Sequence, residues 1–325
     1  MNILVTGGAG YIGSFMVKRL LDDGHSVVIA DSLERGDESK LDKRAEFIKG
    51  SLTDEDYVES LFKNHKYDAV MHFAAYISVE ESMREPGKYF KNNVLNTIKL
   101  LDQMQKNKVE AFIFSSTGTV YGTPKITPIP EEHPKNPENP YAQSKLLVEM
   151  VLHSYFSVYG VGYAVLRYFN AAGGAPDGSL GESHDPETHL IPNAIKAALN
   201  NSEFSVFGND YDTKDGTAVR DYIHVLDLVD AHILALNKIK SDKSEYVYNV
   251  GTGNGISNKE VIEMVQKISG VKFPVSIKPR RAGDVSTTIA DNAKIKKELG
   301  FNPKYSDLEN IIKTAWEWHK NHAPA

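Results

Sequence analysis

The first two dozen residues limit the fold more than any other stretch of the chain. Asn2–Thr6 (NILVT) is a short β-branched apolar run, the pattern of a buried strand. It passes directly into Gly7-Gly8-Ala9-Gly10. From Tyr11 to Asp23, apolar residues recur at Ile12, Phe15, Met16, Leu20 and Leu21, which is helical spacing. Gly24 stands where a helix C-cap glycine belongs. A strand, a glycine turn and a helix in this order open a βαβ unit.

The alternation continues. Ser26–Ala30, Glu46–Lys49, Ala69–Phe73, Ala111–Ser115 and Tyr163–Arg167 read as strands. Thr53–Asn64, Lys88–Lys106 and Tyr141–Tyr159 read as helices between them. Strands alternating with helices pair in parallel, so the expected fold is α/β, a Rossmann-type doubly wound parallel sheet. The character changes near residue 170. Asn170–His189 is rich in Gly, Ala, Pro and Asp, and helices follow at Ile191–Asn200, Val225–Ile239, Asn258–Ser269 and Ser306–Lys320. We therefore expect residues 1–170 to form a dinucleotide-binding domain, with the chain returning to it near 218–240. Residues 171–325 should form mainly a smaller α/β substrate domain. Six prolines between Pro124 and Pro140 predict an extended surface connection, because a residue before proline avoids the helical region.

Composition narrows the function. The 325 residues carry 37 Lys plus Arg against 43 Asp plus Glu, a net charge of −6, which gives no drive toward nucleic acid or an anionic membrane. No apolar run approaches the length of a membrane span, and the N-terminus lacks the basic start of a signal peptide, so the expected location is the cytoplasm. The absence of cysteine excludes disulfides, thiolate zinc sites and a cysteine nucleophile.

Gly8, Gly10 and Gly13 fit the G-x-G-x-x-G fingerprint, and Gly7, Gly10 and Gly13 fit its G-x-x-G-x-x-G variant. In either register the glycines admit a pyrophosphate against the backbone, and the helix N-terminus faces the anion. A glycine turn can also merely pack a helix on a sheet. Asp31 argues for the ligand: it ends the second strand, 18 residues beyond Gly13, where an acid binds the adenosine ribose. Such an acid favours NAD over NADP, whose 2′-phosphate it would repel.

Tyr141-Ala142-Gln143-Ser144-Lys145 places a phenol and an ammonium one helical turn apart. On its own this is also what a solvated helix face carries. A tyrosine acting as a base needs its pKa brought from about 10 toward 7, roughly 4 kcal/mol of phenolate stabilisation, which a neighbouring lysine and an oxidised nicotinamide could supply. The run from Ser115 to Thr119 follows a strand, and ligands in open α/β sheets sit at the C-terminal ends of strands. Thr117 is the natural partner for a substrate hydroxyl.

With these motifs the chain resembles the extended short-chain dehydrogenase/reductases, most closely the UDP-glucose 4-epimerases. The resemblance spans nearly the whole chain. It includes Val5–Gly13, His72-Phe73-Ala74-Ala75, Asn92-Asn93-Val94, Phe114–Thr117, Tyr141 with Lys145, Arg167–Asn170, Phe207–Tyr211, Arg220–Val225 and Arg280-Arg281-Ala282-Gly283-Asp284. It implies that Tyr141 is the base, that Thr117 assists it, and that Lys145 binds the nicotinamide ribose and lowers the tyrosine pKa. It implies NAD contacts at Gly7, Gly10, Tyr11, Ile12, Gly13, Asp31, Ser51, Leu52, Phe73, Ala74, Ala75, Asn93, Ser115 and Tyr168. Substrate contacts are implied at Asn170, His189 and Leu190, with Phe207, Arg220 and Arg281 holding the uridine diphosphate and Asp284 a ribose. His224 is expected to serve a local structural hydrogen bond.

The implied reaction is C4 epimerisation of UDP-glucose and UDP-galactose through a 4-keto intermediate, in a homodimer paired through the Lys88–Lys106 and Tyr141–Tyr159 helices. Two positions depart from the family pattern. Ser51 replaces an acid that touches adenine, and Tyr76-Ile77-Ser78 replaces a stretch that holds a cofactor-contacting lysine in some members. Small Thr288, aligned with a bulky tyrosine in some members, leads us to expect acceptance of N-acetylated sugars as well. A dehydratase, decarboxylase or uronate epimerase is the nearest rival. Gly118-Thr119, where dehydratases place Asp-Glu, lacks a titratable group and argues against elimination. A catalytically silent NAD-binding regulator fits poorly with intact Thr117, Tyr141 and Lys145.

Overall fold

The computed structural model describes residues 1–281 and 284–322; Ala282 and Gly283 of the Arg280–Asp284 motif lie outside the described residues. The chain forms two compact units. The first comprises Met1–Gly122, Pro134–Arg167 and Val229–Tyr248, and the second Thr123–His133, Tyr168–Leu228 and Asn249–Ala325.

A seven-stranded sheet organises the first unit. Its spatial order is Glu245–Val250, Gly162–Tyr168, Ala111–Thr117, Ala69–His72, Asn2–Thr6, Ser26–Asp31 and Glu46–Lys49. The first strand pairs in parallel with both Ser26–Asp31 and Ala69–His72, with Thr6 opposite Ala30 on one side and His72 on the other. Strand order therefore reverses beside the first strand, the point at which a doubly wound sheet opens a crevice. Leu4, Leu61, Val70, Leu100, Phe112, Phe114, Val148 and Val165 belong to one buried cluster that joins sheet and helices. Apolar burial of this kind contributes about 25 cal/mol per Å2.

The stretch expected as one helix from Lys88 to Lys106 is interrupted. Pro86–Tyr89 and Asn96–Lys106 are α-helical, but Phe90–Leu95 forms a π turn. The reason lies in Asn93, which is buried within that turn. Its side chain accepts from the Tyr76 N–H (2.9 Å) and donates to the Tyr76 carbonyl (3.0 Å) and to Ser144 Oγ (2.9 Å). A π turn re-aims a side chain without ending the helix.

The second unit is built from short strands and helices around Ile191, Ile195, Phe204, Val261, Val265, Phe273, Ile311 and Ile312. Asn170–Ala172 pairs with Tyr222–His224, Phe204–Phe207 with Val275–Lys278, and Val219–Arg220 lies between Ile256–Ser257 and Thr287–Thr288. The proline-rich segment is not simply a surface connection. Ile129 is 1% exposed and bridges Ala290, and buried Glu131 accepts from the Asn249 N–H at 2.8 Å. These long-range bonds hold residues 123–133 in the second unit. The chain returns to the first unit at 229–248.

Candidate active site

The glycine loop leaves no space for side chains. Gly7 has φ +74°, and a Cβ there would lie 2.5 Å from the Ala74 nitrogen. A Cβ on Gly13 would lie 2.1 Å from the Gly7 carbonyl oxygen, well inside van der Waals contact. Gly10 is the N-cap of the Tyr11–Asp22 helix and has no side chain to cap its first turn. The loop is therefore a cradle of bare backbone at a helix N-terminus, the geometry that suits a pyrophosphate. Tyr11 and Ile12 open that helix.

Asp31 ends its strand with one carboxylate oxygen accepting from the Ala9 N–H (3.0 Å) and the other from the Leu33 N–H (2.9 Å). It is thus tied to the glycine loop. Gly50 donates its N–H to the Asp31 carbonyl at 3.0 Å, which brings the Ser51–Leu52 turn beside the same strand end. The Ser51 hydroxyl contacts Thr53 Oγ1 at 2.8 Å, and Leu52 packs against the core. Phe73 follows the Ala69–His72 strand and donates its N–H to the Thr6 carbonyl, so Phe73 and Ala74 lie along the glycine loop, with Ala75 next in sequence.

The remaining candidates of this unit meet at the end of the Ala111–Thr117 strand. Asn139 caps the Pro140–Tyr159 helix by accepting from the Ala142 N–H, which sets Tyr141 in its first turn. Thr117 lies close enough to the Tyr141 hydroxyl to favour its ionised form. Thr117 Oγ1 also accepts from the Thr119 N–H at 3.1 Å. Lys145 is buried one turn further on, and its ammonium donates to the Ser115 carbonyl at 2.8 Å, 4.9 Å from the centre of the Phe114 ring.

In the protein alone, burial dominates the electrostatics of this pair. Burial pushes Tyr141 up to about 12, against the opposing pull of Thr117. Burial pushes Lys145 down to about 7, opposed by the Glu149 carboxylate. Burial thus shifts both groups toward their neutral forms.

Glu149 had no role in the sequence reading. It is buried and forms a double bond pair with Arg167: Nε to Oε1 at 3.1 Å and Nη2 to Oε2 at 2.6 Å. Ser116 Oγ donates to Glu149 (2.6 Å), and Arg167 Nη1 donates to Tyr121 Oη (2.7 Å). This network fixes both sides of Thr117. Its only sequence signal was a charged residue, Arg167, inside an apolar strand.

In the second unit, Asn170, His189, Leu190, Phe207, Arg220, Arg281 and Asp284 line one cavity of about 520 Å3. The Arg281 guanidinium lies 3.9 Å from the centre of the Phe207 ring. Arg220 Nη1 donates to the Val219 carbonyl (3.0 Å), and Asn170 Nδ2 to the Asp221 carbonyl (3.0 Å). Lys196, missed in the sequence, adds a lysine to the two arginines of the lining. Buried Asp221 braces this region by accepting from the Thr252, Gly253 and Ala290 N–H groups. Tyr168 is buried at the end of its strand and does not line this cavity. Thr288 is not among its lining residues either; it sits in register with Arg220. His224 is fully buried, contacting Thr314 Oγ1 at 3.0 Å and accepting from the Leu226 N–H at 3.1 Å.

His189 turns its Nδ1 toward Glu182 (2.7 Å) and Glu187 (3.1 Å). Burial disfavours its charge, but the two carboxylates overcome this and hold the imidazolium up to about 10. The side chain is 47% exposed, so solvent tempers that pull.

The model of the NAD dependent epimerase/dehydratase family matches residues 3–251. The chain belongs to this family. Among members of the NAD dependent epimerase/dehydratase family, the UDP-glucose 4-epimerase of Lactobacillus helveticus is 47% identical over 324 residues, 99% of this chain and 98% of that one. The UDP-glucose 4-epimerase from Brucella ovis, solved in complex with NAD, superposes with a TM-score of 0.94 at 43% identity, covering 97% of each chain. The Bifidobacterium longum enzyme, solved with NAD+ and UDP, gives a TM-score of 0.93 at 38% identity, covering 99% of each chain.

Proposed function

We propose that this family member interconverts UDP-glucose and UDP-galactose by reversible oxidation at sugar C4. The observation that carries the reading is the convergence of Thr117, Tyr141 and buried Lys145, whose ammonium donates to the Ser115 carbonyl, at a strand end of the same unit as the glycine cradle. Gly7, Gly10, Gly13 and Asp31 would hold NAD, which when bound accepts the C4 hydride and gives it back. Tyr141 takes the C4 hydroxyl proton and later returns it, while Thr117 steadies the oxygen. Where it is protonated, Lys145 would lower the cost of the phenolate. In the second unit, Arg220 and Arg281 supply charge-assisted bonds suited to a diphosphate. Firm hold on the nucleotide with loose hold on the sugar lets the 4-keto sugar present its other face, so remote binding energy does the positioning. Thr119 beside Thr117 carries no acid, which disfavours elimination chemistry.

The test is incubation with UDP-galactose without added dinucleotide, with product read by NMR. The wild type should form UDP-glucose, and Tyr141→Phe should be slower by on the order of 10²–10⁴-fold. No conversion by the wild type sinks the function, and an unchanged Tyr141→Phe rate sinks the base assignment. Acceptance of the N-acetylated pair belongs to the same proposal; a loss beyond about 10³-fold in kcat/KM on UDP-N-acetylglucosamine, roughly 4 kcal/mol, would remove it.

The same reading includes a cytoplasmic homodimer. No helix among the described residues is long and apolar enough to cross a membrane. Leu95, Leu147, Met150 and Val158 are 41–70% exposed on the helices expected to pair, as an apolar interface requires. A monomer by light scattering would overturn the dimer.

A further inference from the structure

The loop that precedes the Leu190–Asn200 helix gathers four metal-ligating side chains at one point. We propose that Glu182, His184, Glu187 and His189 form a binding site for one divalent transition-metal ion of the zinc type. One ligand atom from each residue lies within 4.8 Å of all the others. Glu182 Oε1 lies 3.0 Å from His184 Nδ1 and 2.7 Å from His189 Nδ1, while Glu187 offers Oε2 at 3.9 Å from His184 Nδ1 and Oε1 at 3.1 Å from His189 Nδ1. A tetrahedral site with bonds of about 2.0–2.1 Å has edges of about 3.3 Å, so small rotations suffice to close it.

Three further observations point to a cation. The Glu187 and Glu182 side chains are 2% and 6% exposed, so two carboxylates are buried side by side. Two carboxylates and two imidazoles, deprotonated on binding, balance a dication, which would take the place of the His189 imidazolium. Glu187 is already aimed: its Oε1 accepts from the Thr188 and His189 N–H groups at 2.8 and 2.9 Å. Its other oxygen, Oε2, is buried with no hydrogen-bond partner. An orphaned buried acceptor costs about 1–3 kcal/mol, and a metal ion would take it up. An ion-pair cluster around His189 alone leaves that oxygen unused.

The donor set defines the ion. Imidazole nitrogen with carboxylate oxygen suits zinc-like ions over calcium or magnesium. Four protein ligands leave no open position, so the ion holds structure rather than reacting. His189 is the N-cap of the Leu190–Asn200 helix, and Glu182, His189 and Leu190 line the cavity described above. Metal binding would clamp that cavity wall. The inference rests on the side chains of the loop and does not require the proposed reaction, although its ligand His189 also lines the substrate cavity.

The full chain, dialysed against a chelator, should be titrated with cobalt chloride and then zinc chloride. One Co2+ per chain is expected, with the strong visible absorption of a tetrahedral site, displaced by Zn2+, and Zn2+ should raise the melting temperature. His184→Asn and Glu187→Gln should each weaken binding by at least roughly 100-fold, since even an outer-shell change costs 10–100-fold. The His184 side chain is 24% exposed, so its variant should fold even where the Glu187 variant does not. The proposal is overturned if the wild type shows no tetrahedral spectrum, or if His184→Asn keeps both the spectrum and the affinity, which would put the metal on other histidines.

Discussion

Lys145→Met should stabilise the dinucleotide-free protein, and more so in acid than in alkali. The Lys145 ammonium has an ordinary pKa of 10.5 and is pushed down to about 7 by burial, against the pull of Glu149. The sign follows from the two states. Below about pH 7 lysine is charged in both folded and unfolded chains, and the folded chain bears the full cost of the buried charge. That cost is on the order of 5 kcal/mol, from the difference of 10.5 and about 7 at about 1.36 kcal/mol per pKa step. As pH rises toward 10.5 the folded chain has already lost the proton while the unfolded chain still holds it, so the wild type regains stability. At about pH 9 roughly 2 kcal/mol of the penalty remains. Methionine fills similar volume with no charge. The lost bond to the Ser115 carbonyl costs about 1 kcal/mol at either pH. The variant's advantage should therefore shrink by on the order of 2–3 kcal/mol between about pH 6 and pH 9, while activity is lost at both. Urea unfolding followed by circular dichroism measures it. Tryptophan fluorescence would report the other unit, because both tryptophans, Trp316 and Trp318, lie in the Leu308–Asn321 helix. An advantage that is the same at both pH values would refute the claim that burial depresses this ammonium.

Arg167→Met strands the buried Glu149 carboxylate and should cost about 3–5 kcal/mol, whereas adding Glu149→Leu should restore most of it; simple additivity in urea unfolding would contradict this. Gly13→Ala forces a Cβ against the Gly7 carbonyl and should abolish retention of the dinucleotide; stoichiometric NAD released from the purified variant on acid treatment would count against the cradle. Arg281→Met should raise KM for the UDP-sugar by about 10–100-fold, the value of a charge-assisted bond of about 1.5–3 kcal/mol; steady-state kinetics with KM unchanged would remove Arg281 from the proposed diphosphate site.

What could be read from the sequence was local or motif-bound. The glycine turn and Asp31 were legible because strand, turn, helix and second strand follow one another within about thirty residues. The substrate residues were legible only through family resemblance, since Asn170 and Arg281 are far apart in sequence and no periodicity links them. The Glu149–Arg167 pair was missed because Glu149 reads as a polar residue on an amphipathic helix, and only the fold brings it to Arg167. The π turn was missed for a related reason. Its cause is Asn93 bonding to Tyr76 and Ser144, 17 and 51 residues away. The charge states of Tyr141 and Lys145 depend on burial, which spacing does not report.

The interleaving of the two units has a consequence for biosynthesis. The sheet of the first unit acquires its edge strand, Glu245–Val250, only after the whole Tyr168–Leu228 stretch of the second has been made. Residues 168–248 number 81. At about 5–20 residues per second, the ribosome holds a nearly finished sheet with one open edge for roughly 4–16 s. During that interval the nascent chain presents the unpaired backbone of Gly162–Tyr168 to its surroundings. This is the moment at which chaperone protection would matter most, and a stop codon before residue 229 would make the exposure permanent.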